Sequence, residues 1–187
     1  MNDQRFSMPH TCPRWLLFAF DNPVRTAIQR PRKILERVIQ PADIVLDVGC
    51  GTGYLSFPAA EIVGEQGKII AADLQEDMLC GLKEKAAKKG LTNRIQTLQT
   101  TEDHIGVTEP VDVTLAFWMA HEVRDQEGFF KEIYDVLKPG GKFLLVEPRI
   151  HVLVRDFKIS VNLAEQIGFK TIARPFVAIS QAVILQK

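Results

Sequence analysis

Ile44-Val45-Leu46-Asp47-Val48-Gly49-Cys50-Gly51-Thr52-Gly53 is the stretch on which the reading of this chain turns. An apolar run carries an acid, Asp47, and then breaks into glycines at Gly49, Gly51 and Gly53. That pattern describes a buried strand running into a tight turn that opens a helix. Glycine adopts dihedrals closed to other residues and lets backbone approach a ligand with no side chain between.

Working outward, strands and helices alternate. The turn leads into a helix over about 54–62, with Pro58 near its start, and a second strand over 68–72 ends in Asp73. A helix over about 76–89 has Glu76 and Asp77 first and its lysines last, as the helix dipole favours, and Gly90 stops it. A short strand over 95–99 precedes 111–117, a nearly continuous apolar strand of the kind buried in a parallel sheet. Phe129, Phe130, Ile133 and Leu137 share one face of a helix over about 126–137, Lys138-Pro139-Gly140-Gly141 reads as a sharp turn, and 143–146 as a fifth strand. A helix over 154–167 is followed by two strands, 170–174 and about 177–186, with no helix between them, so they should pair antiparallel. Before the glycine turn, Pro31 fits the first turn of a helix whose apolar face is Ile34, Leu35, Val38 and Ile39. This alternation argues an α/β, doubly wound, Rossmann-like sheet with helices on both faces.

Composition narrows the class. At 187 residues, 46% apolar and 25% charged, one globular domain over 1–187 is expected, with 1–30, dense in aromatics, as a lid or packing segment. Lys+Arg 23 against Asp+Glu 23 leaves no net charge, so bulk electrostatics offer a nucleic-acid partner nothing. No window approaches the roughly 20 apolar residues of a membrane span, and the apolar run 15–20 is too short for a signal-peptide core. Cys12, Cys50 and Cys80 form no CxxC and no metal-ligand spacing, which suits small buried hydrophobes in a reducing cytoplasm. A thiol site for a metalloid acceptor would need them to converge in space. No metal is expected, and the sequence is silent on oligomeric state.

Charge separates two ligands that share a strand, a glycine turn and a helix. The spacing here is G-x-G-x-G rather than the G-x-G-x-x-G/A of the dinucleotide fingerprint. A pyrophosphate avoids carboxylates, yet Asp47 stands two residues before the first glycine. A carboxylate suits a cation, and S-adenosyl-L-methionine carries an ammonium and a sulfonium and no phosphate. Asp73, 24 residues after Gly49, stands beside the first turn in a parallel sheet, where it can accept both ribose hydroxyls; it is also placed to cap the next helix. Leu74 and Met78 would offer adenine an apolar, polarizable surface.

These motifs, with Ala71-Ala72-Asp73, Val111–Phe117 and Leu137-Lys138-Pro139-Gly140-Gly141, resemble the ordered motifs of class I S-adenosylmethionine-dependent methyltransferases, nearest the ubiquinone/menaquinone branch. The likeness covers roughly 30–187 and implies a seven-stranded sheet, parallel except for an antiparallel last strand. It implies that Asp47 holds the methionine amine through water, and that Gly49, Cys50, Gly51 and Gly53 line the methionine part. It further implies that Asp73 holds the ribose and that the Phe117 carbonyl meets the amine. Where the family commonly has an acid for adenine this chain has Thr101, so either Thr101 or Glu102 reads that ring. The Lys-Pro-Gly-Gly turn would be structural.

Acceptor residues should follow strands four and five, since open α/β sheets bind ligands at strand C-termini. Methyl transfer depends on in-line alignment, and a base is needed only if the acceptor loses a proton. His121 is the candidate base and Trp118 a wall; Arg149 and His151 could recognise an anionic or carbonyl-bearing acceptor. Trp15 belongs to an aromatic cluster expected to close over the sulfonium. The expected activity is methyl transfer to a small-molecule acceptor. The alternatives are a non-catalytic sensor or partner protein that keeps the donor, and a nicotinamide-dependent oxidoreductase.

Overall fold

A computed structural model describes residues 29–187. Its elements are α1 (Pro31–Leu35), β1 (Ile44–Val48), α2 (Ser56–Val63), β2 (Lys68–Asp73), α3 (Glu76–Lys88), β3 (Ile95–Gln99) and β4 (Val111–Phe117), then α4 (Gln126–Val136), β5 (Leu137–Pro148), α5 (Val154–Ile167), β6 (Lys170–Ala173) and β7 (Ser180–Gln186). A single 3₁₀ turn, Ala120–Glu122, lies between β4 and α4. Among the described residues no helix is long and apolar enough to cross a membrane.

The seven strands are ordered β3-β2-β1-β4-β5-β7-β6. Pairs from β3 to β5 are parallel, and β7 runs antiparallel between β5 and β6. The fold class expected from the sequence is therefore the one observed. Alternate residues of each central strand feed opposite layers. Val45, Ile69, Ala71, Val113 and Leu115 pack under α1, α2 and α3, while Leu46, Val48, Ile70, Ala72 and Ala116 pack under α4 and α5. Burial on both faces is why these strands read as unbroken apolar runs. Phe130 of α4 and Phe143 of β5 are fully buried with ring centroids 5.9 Å apart, and burial of such a side chain contributes about 1.5–3 kcal/mol.

Chain order fixes where a ligand enters. From β1 the sheet grows one way through β2 and β3 and the other way through β4 and β5, with helices on opposite faces. The C-terminal ends of β1 and β4 thus diverge, leaving a crevice at the switch point.

Several boundaries differ from the sequence reading. α2 begins at Ser56 rather than 54, because the turn continues through Leu55 before the helix starts. α1 ends at Leu35, although Val38 and Ile39 stay buried in the following turn. The last strand begins at Ser180 rather than 177. Lys138-Pro139-Gly140-Gly141 lies inside β5: Val111 pairs with Leu137 and Val113 with Lys142, so the four residues loop out as a bulge. Lys138 Nζ meets both oxygens of Asp112 at 2.8 and 2.7 Å, and Asp112 Oδ2 accepts the Ile44 amide at 2.9 Å. The motif therefore ties the entry ends of β1, β4 and β5 together.

Candidate active site

A cavity of about 480 Å³ opens at the C-terminal ends of β1, β2 and β4, within the range of sites for small ligands. Its walls are the glycine turn, the start of α3, the loop after β3, the segment after β4 and the first turns of α4.

The glycine turn is cinched to β2. Gly49 and Cys50 donate their amides to the Ala72 carbonyl at 2.8 and 3.1 Å, and Gly51 donates to Asp73 Oδ2 at 2.8 Å. Gly49 and Gly51 hold φ of 67° and 53°, both left-handed, and both line the cavity. They differ in what surrounds them. A Cβ on Gly49 would lie 2.7 Å from Met119 Cγ, whereas one on Gly51 would meet nothing within 4 Å. Gly51 is bare where a ligand needs room. Gly53, expected at the cofactor, is not on the cavity wall; a Cβ there would strike the Phe57 ring at 2.6 Å.

Asp47 is 2% exposed, and its Oδ2 accepts the Ser56 hydroxyl at 2.6 Å, which joins β1 to the start of α2. Burial, outweighing the Ser56 bond and reinforced by the charge of Asp73, lifts its carboxyl to about 7. Asp73 lines the cavity, and Oδ1 accepts the Gln75 amide at 2.9 Å. Burial raises this carboxyl too, against the hydrogen bonds of Gln75, Gly51 and Leu74. It does not cap α3, whose N-cap is Gln75 with no side-chain cap. Cys50 is buried on the same wall, and burial pushes its thiol up.

Leu74, Met78, Thr101, Glu102, Phe117 and Trp118 all reach the wall. Thr101 Oγ1 accepts the His104 amide at 3.0 Å, and Glu102 pairs with Arg124 at 3.3 Å. Trp118 takes a left-handed φ of 64°, unusual for a bulky residue, and its indole N–H donates to Ser180 Oγ at 2.9 Å.

Three acceptor-side expectations end up elsewhere. His121 does not line the cavity: Nδ1 meets Glu147 Oε2 at 2.6 Å, and its ring stacks on His151 with centroids 6.0 Å apart and planes 6° apart. Burial opposes the imidazolium, but the hydrogen bond and charge of Glu147, with the charge of Glu122, prevail and raise its pKa. Arg149 is exposed and donates Nε to the Ser180 carbonyl at 3.0 Å, and neither it nor His151 lines the cavity. Trp15 lies outside the described residues. The wall instead presents Met119 and Glu122, from the stretch after β4 where acceptor residues were expected, with Tyr54, Arg124 and Glu132, which the sequence reading did not single out. Apart from Glu132, they follow β1 or β4, and that position was the available signal.

Carboxylates dominate this wall. Asp47, Asp73, Glu102, Asp103, Glu122, Asp125 and Glu132 face a single Lys or Arg among the described lining residues, Arg124, which Glu102 already engages. Such a surface repels pyrophosphate and attracts a cation. With open space at Gly51, the residues fit a cationic nucleoside.

Comparison with known proteins agrees. A ubiquinone/menaquinone biosynthesis C-methyltransferase UbiE of Francisella tularensis subsp. novicida is 32% identical over 122 residues, covering 64% of this chain and 48% of that protein. A UbiE of Teredinibacter turnerae is 32% identical over 136 residues, covering 70% and 54%. The chain thus spans about half the length of the curated relatives it matches. A SAM-dependent methyltransferase from Aquifex aeolicus shares the fold at TM-score 0.83 and 24% identity, covering 94% of this chain and 99% of that one. A TehB-like SAM-dependent methyltransferase from Corynebacterium glutamicum does so at TM-score 0.71 and 16% identity, covering 93% and 94%. With a methyltransferase-domain family model matching residues 39–175, the chain belongs to the methyltransferase domain family.

Proposed function

We propose that this chain transfers a methyl group from S-adenosyl-L-methionine to a small-molecule acceptor in the cytoplasm. One observation carries the reading: Asp47 and Asp73, both buried, face one cavity beside a glycine turn whose Gly51 leaves space open. When bound, S-adenosyl-L-methionine supplies an electrophilic methyl on a sulfonium. Asp47 attracts the ammonium, and Asp73 accepts from the ribose while holding the Gly51 amide. Gly49, Cys50 and Gly51 line the methionine part and Phe117 offers its carbonyl. Leu74 and Met78 flank adenine, with Thr101 or Glu102 at its edge.

On the acceptor side, Trp118 and Met119 exclude water. Glu122 faces the cavity, and the proton of a protic acceptor passes to it with His121 behind. Burial raises the Glu122 carboxyl, with His121 and His151 opposing and Glu147 and Asp73 reinforcing, which makes it a stronger proton acceptor than an ordinary carboxylate. The names of the matched relatives direct attention to quinone-like carbon acceptors. In this reading residues 1–187 form one domain. Calorimetry with S-adenosylhomocysteine and with NADH tests the donor: the first should bind at about micromolar Kd and the second not at all. Labelled donor incubated with metabolite extracts then tests the transfer, and no labelled product from any pool would overturn it.

A further inference from the structure

Glu147, one residue before the end of β5, has its side chain 4% exposed, deeper than a carboxylate usually sits without purpose. Both of its oxygens are used by one residue. Oε1 accepts the His121 amide at 3.1 Å and Oε2 meets His121 Nδ1 at 2.6 Å. A buried carboxylate that grips backbone and ring of the same histidine fixes both the path of the chain and the direction of the imidazole.

The segment so gripped is strained. Trp118, at φ 64°, holds a conformation costing about 1–3 kcal/mol, which persists only where its surroundings enforce it. The enforcing contacts are visible. The Trp118 amide donates to Val146 at 2.8 Å and its indole to Ser180, Gln126 Nε2 donates to the Ala120 carbonyl at 2.9 Å, and Glu147 holds His121. Between these pins Met119 is pressed onto Gly49, and Met119 and Glu122 reach the cavity wall.

We propose that Glu147 is a positioning residue: through His121 it latches the strained turn 118–123 against the Gly49 loop and so shapes the wall that faces donor and acceptor. The latch rests on the donor reading above for its consequence, but not for its existence. It is tightest with His121 protonated. The groups facing that imidazole are Glu147 from β5, Glu122 from its own turn and His151 from the segment after β5. Because Glu147 and Glu122 raise the imidazole pKa, the latch is closed below the ordinary histidine value and loosens as pH rises through the raised one. Asp47 acts in the opposite sense, gaining its charge as pH rises through about 7.

The test compares wild type, Glu147→Gln and His121→Gln between about pH 5.5 and 8.5, with folding checked by circular dichroism and thermal melting. His121 is followed by its imidazole carbon resonance, its amide by hydrogen exchange, and donor-site affinity by calorimetry with S-adenosylhomocysteine. In Glu147→Gln the His121 titration should move to lower pH and its amide exchange faster. Affinity at the acid end should weaken by about tenfold, the effect of one charge-assisted hydrogen bond, and both variants should lose the alkaline decline that the latch predicts for wild type. An unchanged imidazole titration and amide protection in Glu147→Gln would overturn the latch. If wild type fails to bind S-adenosylhomocysteine at any pH, the donor reading falls while resonance and exchange still decide the latch.

Discussion

Asp47 is a carboxyl held in two conflicting ways. Its folded value, about 7, stands well above its ordinary 3.8, so between those values the native state keeps a proton the unfolded chain has lost. Stability therefore falls as pH rises across that window. Asp47→Asn removes the buried charge and keeps an oxygen for Ser56. The ligand-free variant should melt higher than wild type at about pH 8, while its S-adenosylhomocysteine affinity drops by about tenfold or more; scanning calorimetry and titration read the two effects separately. Gly49 and Gly51 separate in the same way. Gly51→Ala adds a methyl into open space at a left-handed φ, so it should cost about 1 kcal/mol of stability and a larger share of affinity. Gly49→Ala also drives a carbon into Met119 and should lose several-fold more stability in the same melts. Asp47, Asp73 and the glycines were legible in sequence because each acts within a few residues of a strand end. The partnership of His121 with Glu147 was not, since 26 residues separate them and only the pairing of β4 with β5 joins them.

At the scale of elements, periodicity carried the reading far. The apolar runs of β1, β2 and β4 and the helical faces read for α1 and α4 recur in the two layers of the core. It stopped where backbone geometry depends on a neighbour. Lys138-Pro139-Gly140-Gly141 has turn composition, yet pairing with β4 on both sides keeps it within β5 as a bulge. Its anchor is electrostatic and half-buried: Asp112 serves the Ile44 amide and the Lys138 ammonium at once. Asp112→Ala should cost about 1–3 kcal/mol, because it leaves a part-buried amide and a lysine unanswered; urea unfolding with an unchanged m-value would register it as lost stability. Lys138→Met removes only the ion pair and should cost less.

On the scale of the whole molecule, the cavity follows from topology. Helices α1–α3 cover one face and α4–α5 the other, so the ends of β1 and β4 part where the covering changes sides. Sequence order was enough to expect cavity-lining residues after those strands. It gave no direction for side chains on a short turn, which is why Glu122 rather than His121 reaches the wall. The sheet order also has a consequence in time. β7 is synthesised after β6 but lies between β5 and β6, paired along its length with Lys142–Pro148. On the ribosome, the first five strands can assemble as a parallel sheet with the whole margin of β5 unpaired, a template for aggregation. A chain cut after Phe176 should accumulate as inclusion bodies, measured by soluble yield, whereas Ile172→Lys on the far strand should not. The seven-stranded sheet is thus expected to complete only once Ser180–Gln186 has been translated, because that strand alone joins β5 to β6.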